Sequence, residues 1–111
     1  MEISMEDIVM KLIVNAGQAR TKAIQALREA RACKLEKAEE LMKESEEVVN
    51  LAHEFQSELL RDELDEKKSG GHEVNLIMVH GQDHLMDAIT VREMAREMID
   101  LCRQLHEKQC L

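Results

Sequence analysis

No proline occurs anywhere in the 111 residues, and the only clustered glycines are Gly70 and Gly71. Nothing in such a chain lacks a backbone donor or forces its predecessor out of the α region. Ala, Leu, Glu, Lys and Met are abundant, and all are strong helix formers. The sequence therefore reads as all-α. Ser4-x-x-Asp7 resembles a capping box. Behind it Ile8, Leu12, Ala16, Ala19, Ala23, Ala26 and Ala30 recur at helical spacing. A second periodic stretch runs from Leu35 through Ala38, Leu41, Met42, Val48, Val49, Leu51, Ala52 and Phe55 to Leu59 and Leu60. The turn between the two falls near Cys33, where no Gly or Pro marks it. The charged run Arg61 to Lys68, followed by Ser69-Gly70-Gly71, reads as a loop over 61–73. A third helix follows from about Val74 to Glu107. Helices of about 28–34 residues, roughly 45 Å each, pack as an antiparallel three-helix bundle within one domain, residues 1–111.

Composition removes several classes of function. Lys and Arg number 15 against 23 Asp and Glu, a formal net charge of −8. That charge repels phosphate backbones and anionic lipid, which argues against nucleic-acid or membrane-surface partners. No apolar run approaches the ~20 residues that cross a bilayer, so no membrane insertion is expected. The acidic start Met1 to Asp7 does not look like a signal peptide. Three cysteines, Cys33, Cys102 and Cys110, show no CxxC spacing and fit a reduced, cytoplasmic protein. Cys102 reads as a small core residue and Cys110 as inert. His72 and His106 read as exposed and idle.

The third helix carries too much apolar surface for one bundle. Val74, Leu76, Ile77, Met78 and Val79 are apolar almost all round, and Leu85, Met86, Ile89, Val91, Met94, Met98, Ile99, Leu101 and Leu105 continue a wide face. A helix apolar over more than one stripe needs partners on two sides. One side is its own chain and the other is a second subunit, so an obligate oligomer is expected.

Inside this helix, Met78-Val79-His80-Gly81-Gln82-Asp83-His84-Leu85-Met86 holds three ionisable groups within five residues. Charge on so apolar a helix is costly unless paired or neutralised. Asp83 shares a stripe with Leu76, Val79, Met86 and Thr90, so it is a carboxylate on an apolar seam that calls for a proton or a cation. His80 and His84 lie one turn apart, and Asp87 extends their face. Three readings compete. In the first, these are satisfied structural residues of a helical oligomerisation or interaction module without catalysis. In the second, His80 and His84 chelate zinc, although Gly81 stands where a zincin has its glutamate. In the third, a neutral imidazole accepts a phosphoryl group and passes it on, since it titrates near neutral pH. Gly81 then clears bulk beside His80 for an approaching partner, and His84 or Gln82 donates a hydrogen bond to a phosphoryl oxygen.

Three blocks decide in favour of the third reading by resemblance. They are Leu12-Ile13-Val14-Asn15-Ala16-Gly17-Gln18-Ala19-Arg20, then Ala52-His53-Glu54-Phe55-Gln56-Ser57 in an Ala-His-x-x-Gln pattern, then Val79-His80-Gly81-Gln82-Asp83-His84-Leu85-Met86. In this order they resemble the lactose/cellobiose-type enzyme IIA family of the bacterial phosphoenolpyruvate-dependent sugar phosphotransferase system, over nearly the whole chain. The first block looks closer to cellobiose and chitobiose members than to lactose ones.

The resemblance implies a three-helix protomer in a nine-helix homotrimer. It implies that His80 takes phosphoryl from the phosphocarrier HPr and gives it to a cysteine of the cognate enzyme IIB, for uptake of a β-linked disaccharide. His84 and Gln82 are supporting candidates. Asp83 is implied to meet its symmetry mates on the threefold axis around one divalent metal ion per trimer, for which hard, oxygen-ligated Mg²⁺ is suited. His53, Gln18 and Arg20 occupy motif positions without assigned roles, and Gly17 marks close helix packing or a kink. One departure is visible: many members carry a Gly-Asp pair at the first turn, where this chain has Cys33-Lys34.

Overall fold

The computed structural model describes residues 4–64 and 76–109. Three helices make up the fold: α1, Met5–Arg31; α2, Leu35–Leu64; and α3, Leu76–Gln109. They form a rod 65 × 22 × 20 Å in extent. The chain runs up, down, up, so α1 and α3 are parallel and α2 is antiparallel to both. No helix among the described residues is long and apolar enough to cross a membrane.

α1 is the central element. It starts where expected: the Ser4 side chain accepts a hydrogen bond from the Asp7 backbone N–H at 3.2 Å, with Glu6 and Asp7 in the first turn. Its inward face is built of Leu12, Ala16, Ala19, Ala23, Ala26 and Ala30, all fully buried. Alanines there let both neighbours approach closely. α2 and α3 pack far more on α1 than on each other. Two apolar clusters result. One joins Ile8, Val9 and Leu12 to Val49, Ala52, Leu59, Leu85 and Ala88. The other joins Ala23, Ala26 and Ala30 to Ala38, Leu41, Met42, Ala95 and Ile99, with Cys102 packed against it.

Ser45 is the one buried polar side chain found among the described residues. Its hydroxyl donates to the Ala19 carbonyl at 2.7 Å and accepts from Arg92 Nε at 2.8 Å. One oxygen thus ties all three helices together at mid-length.

The first turn lies where the periodicity breaks, and its geometry is a Schellman motif. Lys34 N–H donates to Glu29 C=O at 2.9 Å and Cys33 N–H to Ala30 C=O at 3.1 Å. Cys33 sits in the left-handed slot with φ of 67°, the only non-glycine residue to do so among those described. Cys33-Lys34 thus closes the turn with a Cβ where glycine is favoured.

One expected boundary shifts. The loop over 61–73 begins too early, because α2 continues through Leu64; Arg61, Glu63 and Leu64 are helix formers, and charge alone does not end a helix. The rest of that expected loop, His72, Val74 as the start of α3 and Cys110 lie outside the described residues. His106 is not idle either: its Nε2 lies 3.2 Å from Cys33 Sγ.

Candidate functional site

His80 and His84 face each other one turn apart near the start of α3. Their Nε2 atoms are 3.0 Å apart, and the rings meet edge to face at 85° with centroids 4.4 Å apart. His80 is exposed and His84 is half-buried. At that separation one nitrogen carries the hydrogen and the other offers its lone pair. When His84 donates, His80 is held as the tautomer whose Nε2 is unprotonated. No third His, Cys, Asp or Glu gathers with them into a metal-sized group among the described residues, so the zinc reading lacks a ligand set within one protomer.

Gly81 has a different job from the one expected of it. It is buried, and a Cβ built there would stand 3.1 Å from Val9 Cγ1 and 3.3 Å from Leu12 Cδ2. Its missing side chain lets α3 lie tightly on α1 directly beneath His80; it opens nothing to a visiting protein. Gly17 shows the reverse: nothing lies within 4 Å of a Cβ there, and α1 runs through it unbroken. Neither close packing within the protomer nor a break in the helix explains it.

The remaining motif residues spread over several faces. Residues two apart on a helix point to opposite flanks. Gln82 accordingly turns towards α2, where its Oε1 accepts from Gln56 Nε2 at 2.7 Å. Within one protomer it does not converge on His80. Gln56 is the residue that sequence reasoning passed over. It closes the Ala-His-x-x-Gln block, and it, not the exposed His53, joins that block to the His-x-Gln-Asp-His block. Asp83 is exposed, on the same outer stripe as Leu76, Val79, Met86 and Thr90. Leu76 is 83 % exposed, Met86 56 % and Leu101 54 %, so this stripe is an uncovered apolar face. Farther along, Arg20 Nε pairs with Asp87 Oδ2 at 2.9 Å, tying α1 to α3 beyond the histidines. Gln18 is exposed.

The most perturbed ionisable groups lie elsewhere, in a groove of about 670 Å³ between α2 and α3. Glu39 there accepts from both Arg96 Nη atoms at 2.8 and 2.9 Å and from Arg103 Nη2 at 2.6 Å. The Arg96 hydrogen bond holds the Glu39 carboxyl below its ordinary value, burial opposes that, and the Arg96 and Arg103 charges add to it. The same hydrogen bond pushes Arg96 up. The groove mixes both signs of charge and is lined by no histidine or cysteine, so it offers no imidazole or thiol to compete with His80 as a reaction centre.

An exposed imidazole backed by a second imidazole, on a bundle with this motif order, matches a known family. The family described as “PTS system, Lactose/Cellobiose specific IIA subunit” matches residues 7–103. This chain belongs to the lactose/cellobiose-specific IIA family. It is an enzyme IIA component of a sugar phosphotransferase system. It is 36 % identical over 109 residues to the lichenan-specific phosphotransferase enzyme IIA component of Bacillus subtilis (strain 168), covering 98 % of this chain and 96 % of that one. It is also similar to the crystal structure of the cellobiose-specific enzyme IIA from Bacillus anthracis, with a TM-score of 0.88 and 42 % identity over 97 % of this chain and 96 % of that one. The IIA(chitobiose) chain solved in solution in complex with HPr gives a TM-score of 0.81 at 35 % identity, over 95 % of this chain and 99 % of that one.

Proposed function

We propose that His80 Nε2 is the phosphoryl acceptor of this IIA component. The observation that carries the reading is the exposed His80 imidazole with its Nε2 held 3.0 Å from His84 Nε2. The donor in this reading is HPr carrying phosphoryl on a histidine; the solved complex of IIA(chitobiose) with HPr supports HPr as the partner. The His80 lone pair attacks phosphorus, an N–P bond forms, and the donor's N–P bond breaks. As the phosphoryl group arrives, the His84 N–H turns from the ring nitrogen to a phosphoryl oxygen. In the second transfer, a cysteine thiolate of the cognate enzyme IIB attacks the same phosphorus, and the bond to His80 breaks. Positioning and charge stabilisation supply most of the acceleration, because phosphohistidine is itself reactive. The sugar never binds here; relatives named for lichenan, cellobiose and chitobiose favour a β-linked disaccharide as the cargo of the system. All of this chemistry belongs in the cytoplasm.

The uncovered α3 stripe supports assembly as a homotrimer of nine helices. Asp83 fits a shared cation by its chemistry: it is an exposed, hard carboxylate donor, and among the described residues no group of three or more His, Cys, Asp or Glu gathers to hold the ion within one protomer. Asp83 from each of three copies would hold one divalent ion, Mg²⁺ by donor type. Such an ion would neutralise the like charges of the three carboxylates.

Incubation with enzyme I, HPr and phosphoenolpyruvate tests the relay. The wild type gains one acid-labile phosphoryl group, and His80→Ala gains none. Full labelling of His80→Ala would overturn the assignment. His84→Ala slows labelling, and His84→Gln, which keeps an N–H donor, restores part of the rate.

A further inference from the structure

The far end of the bundle carries a second reactive pair. His106 lies 26 residues beyond His80 on α3, about 39 Å of helix rise, so nothing there belongs to the phosphoryl site. Cys33 Sγ is 3.2 Å from His106 Nε2, across 73 residues of sequence. The thiol is exposed and the imidazole half-buried. The left-handed slot at the α1 C-terminus presents Cys33 to the end of α3.

We propose that Cys33 and His106 form a thiol–disulfide exchange site that takes a small anionic disulfide, of the oxidised-glutathione class, as a mixed disulfide on Cys33. Three features carry this. The sulfur is open to a reagent. It touches a base, whereas Cys102 is half-buried among apolar residues of the second cluster. The charge around it is reversed relative to the acidic chain: Lys34 follows Cys33, and the last turns of α1 and α3 bring Arg28, Arg31 and Lys108. These four cations outnumber Glu29, Glu36 and Glu107 at the same end, which suits a ligand bearing carboxylates.

In the exchange, His106 Nε2 takes the thiol proton as Cys33 Sγ attacks one sulfur of the disulfide. A protein–S–S bond forms and the reagent's S–S bond breaks. The departing thiolate recovers a proton from the imidazolium. Protein thiol plus disulfide thus gives mixed disulfide plus one small thiol, and no further oxidant is consumed.

The test is intact mass and peptide mapping of the full chain during reaction with oxidised glutathione at neutral pH. Cys33 is expected to carry the first adduct, and Cys33→Ser to lose it. His106→Gln should slow Cys33 loading about tenfold or more while leaving Cys102 unchanged, with far-UV circular dichroism confirming an intact bundle. Added imidazole should restore part of the rate in His106→Ala, which a merely structural His106 would not allow. A first adduct on Cys102 or Cys110, or a His106→Gln rate within about twofold of wild type, overturns the proposal. These readouts do not depend on phosphoryl transfer, so they stand apart from the fate of His80.

Discussion

Replacing each of the two helical glycines by alanine should move stability in opposite directions. Glycine within a helix costs about 0.5–1 kcal/mol relative to alanine. At Gly17 a Cβ meets nothing within 4 Å. Gly17→Ala should therefore recover most of that amount, raising the midpoint of thermal unfolding by about 2–4 °C for a domain of this size. At Gly81 the same gain is opposed by contacts of 3.1 Å to Val9 Cγ1 and 3.3 Å to Leu12 Cδ2. Val9 is 1 % exposed and Leu12 fully buried, so neither has free space to retreat into. Overpacking of this kind costs about 1–3 kcal/mol. The balance is a net loss of about 1 kcal/mol, with the α3 turn that bears His80 and His84 pushed away from α1. Urea denaturation followed by circular dichroism measures both variants. Protein concentration must be equal throughout, because assembly adds to apparent stability. Gly81→Ala at least as stable as wild type would refute the claim that Gly81 exists to seat α3 on α1. Slower phosphoryl uptake by that variant, with His80 unaltered, is the expected functional echo.

Three further outcomes are expected. Ser45→Ala removes the acceptor of Arg92 Nε and the donor to the Ala19 carbonyl in a fully buried position, and should cost about 1–3 kcal/mol in urea unfolding. Glu39 titrates below its ordinary value of 4.5 because Arg96 hydrogen-bonds it, so its contribution is full above that value and disappears as pH falls through the lower folded one. Wild type should exceed Glu39→Gln in stability at pH 7 by no more than about 1 kcal/mol, since side chains about 40 % exposed are screened by solvent; a gap that persists in strong acid would contradict the Arg96 pairing. Asp83→Leu should keep the assembly in the presence of chelator, and monomers in light scattering of that variant would count against the seam.

The sequence reported its helices well where a single helix decides the matter. The spacing of Leu12, Ala16, Ala19, Ala23, Ala26 and Ala30 depends only on 3.6 residues per turn, and every one of them is buried. The break at Cys33 was visible because that spacing restarts at Leu35. The left-handed cysteine was not, because no residue signature announces it. What failed was whatever depends on which neighbour a face meets. Gly81 looked like clearance for a partner because the string does not say that its side of α3 lies on Val9 and Leu12. The Gln56–Gln82 bond spans 26 residues and the Cys33–His106 contact 73, and periodicity within one element carries no information about either.

The same distinction explains why the composition of the α3 stripe was legible while what covers it was not. Leu76, Val79 and Met86 share a face with Asp83 by helical geometry alone, and all four are exposed. A face meant for water gains nothing from three large apolar side chains, and a face meant for a single apolar neighbour gains nothing from a carboxylate. The proposed trimer would reconcile both choices, because the apolar residues of identical copies would bury one another and their carboxylates would share one counter-charge. In the proposed trimer His80, exposed on the flank of that face next to α1, would stay open to visiting proteins at the edge of the covered surface. One helix could then serve the proposed assembly and the proposed phosphoryl transfer without either use occluding the other.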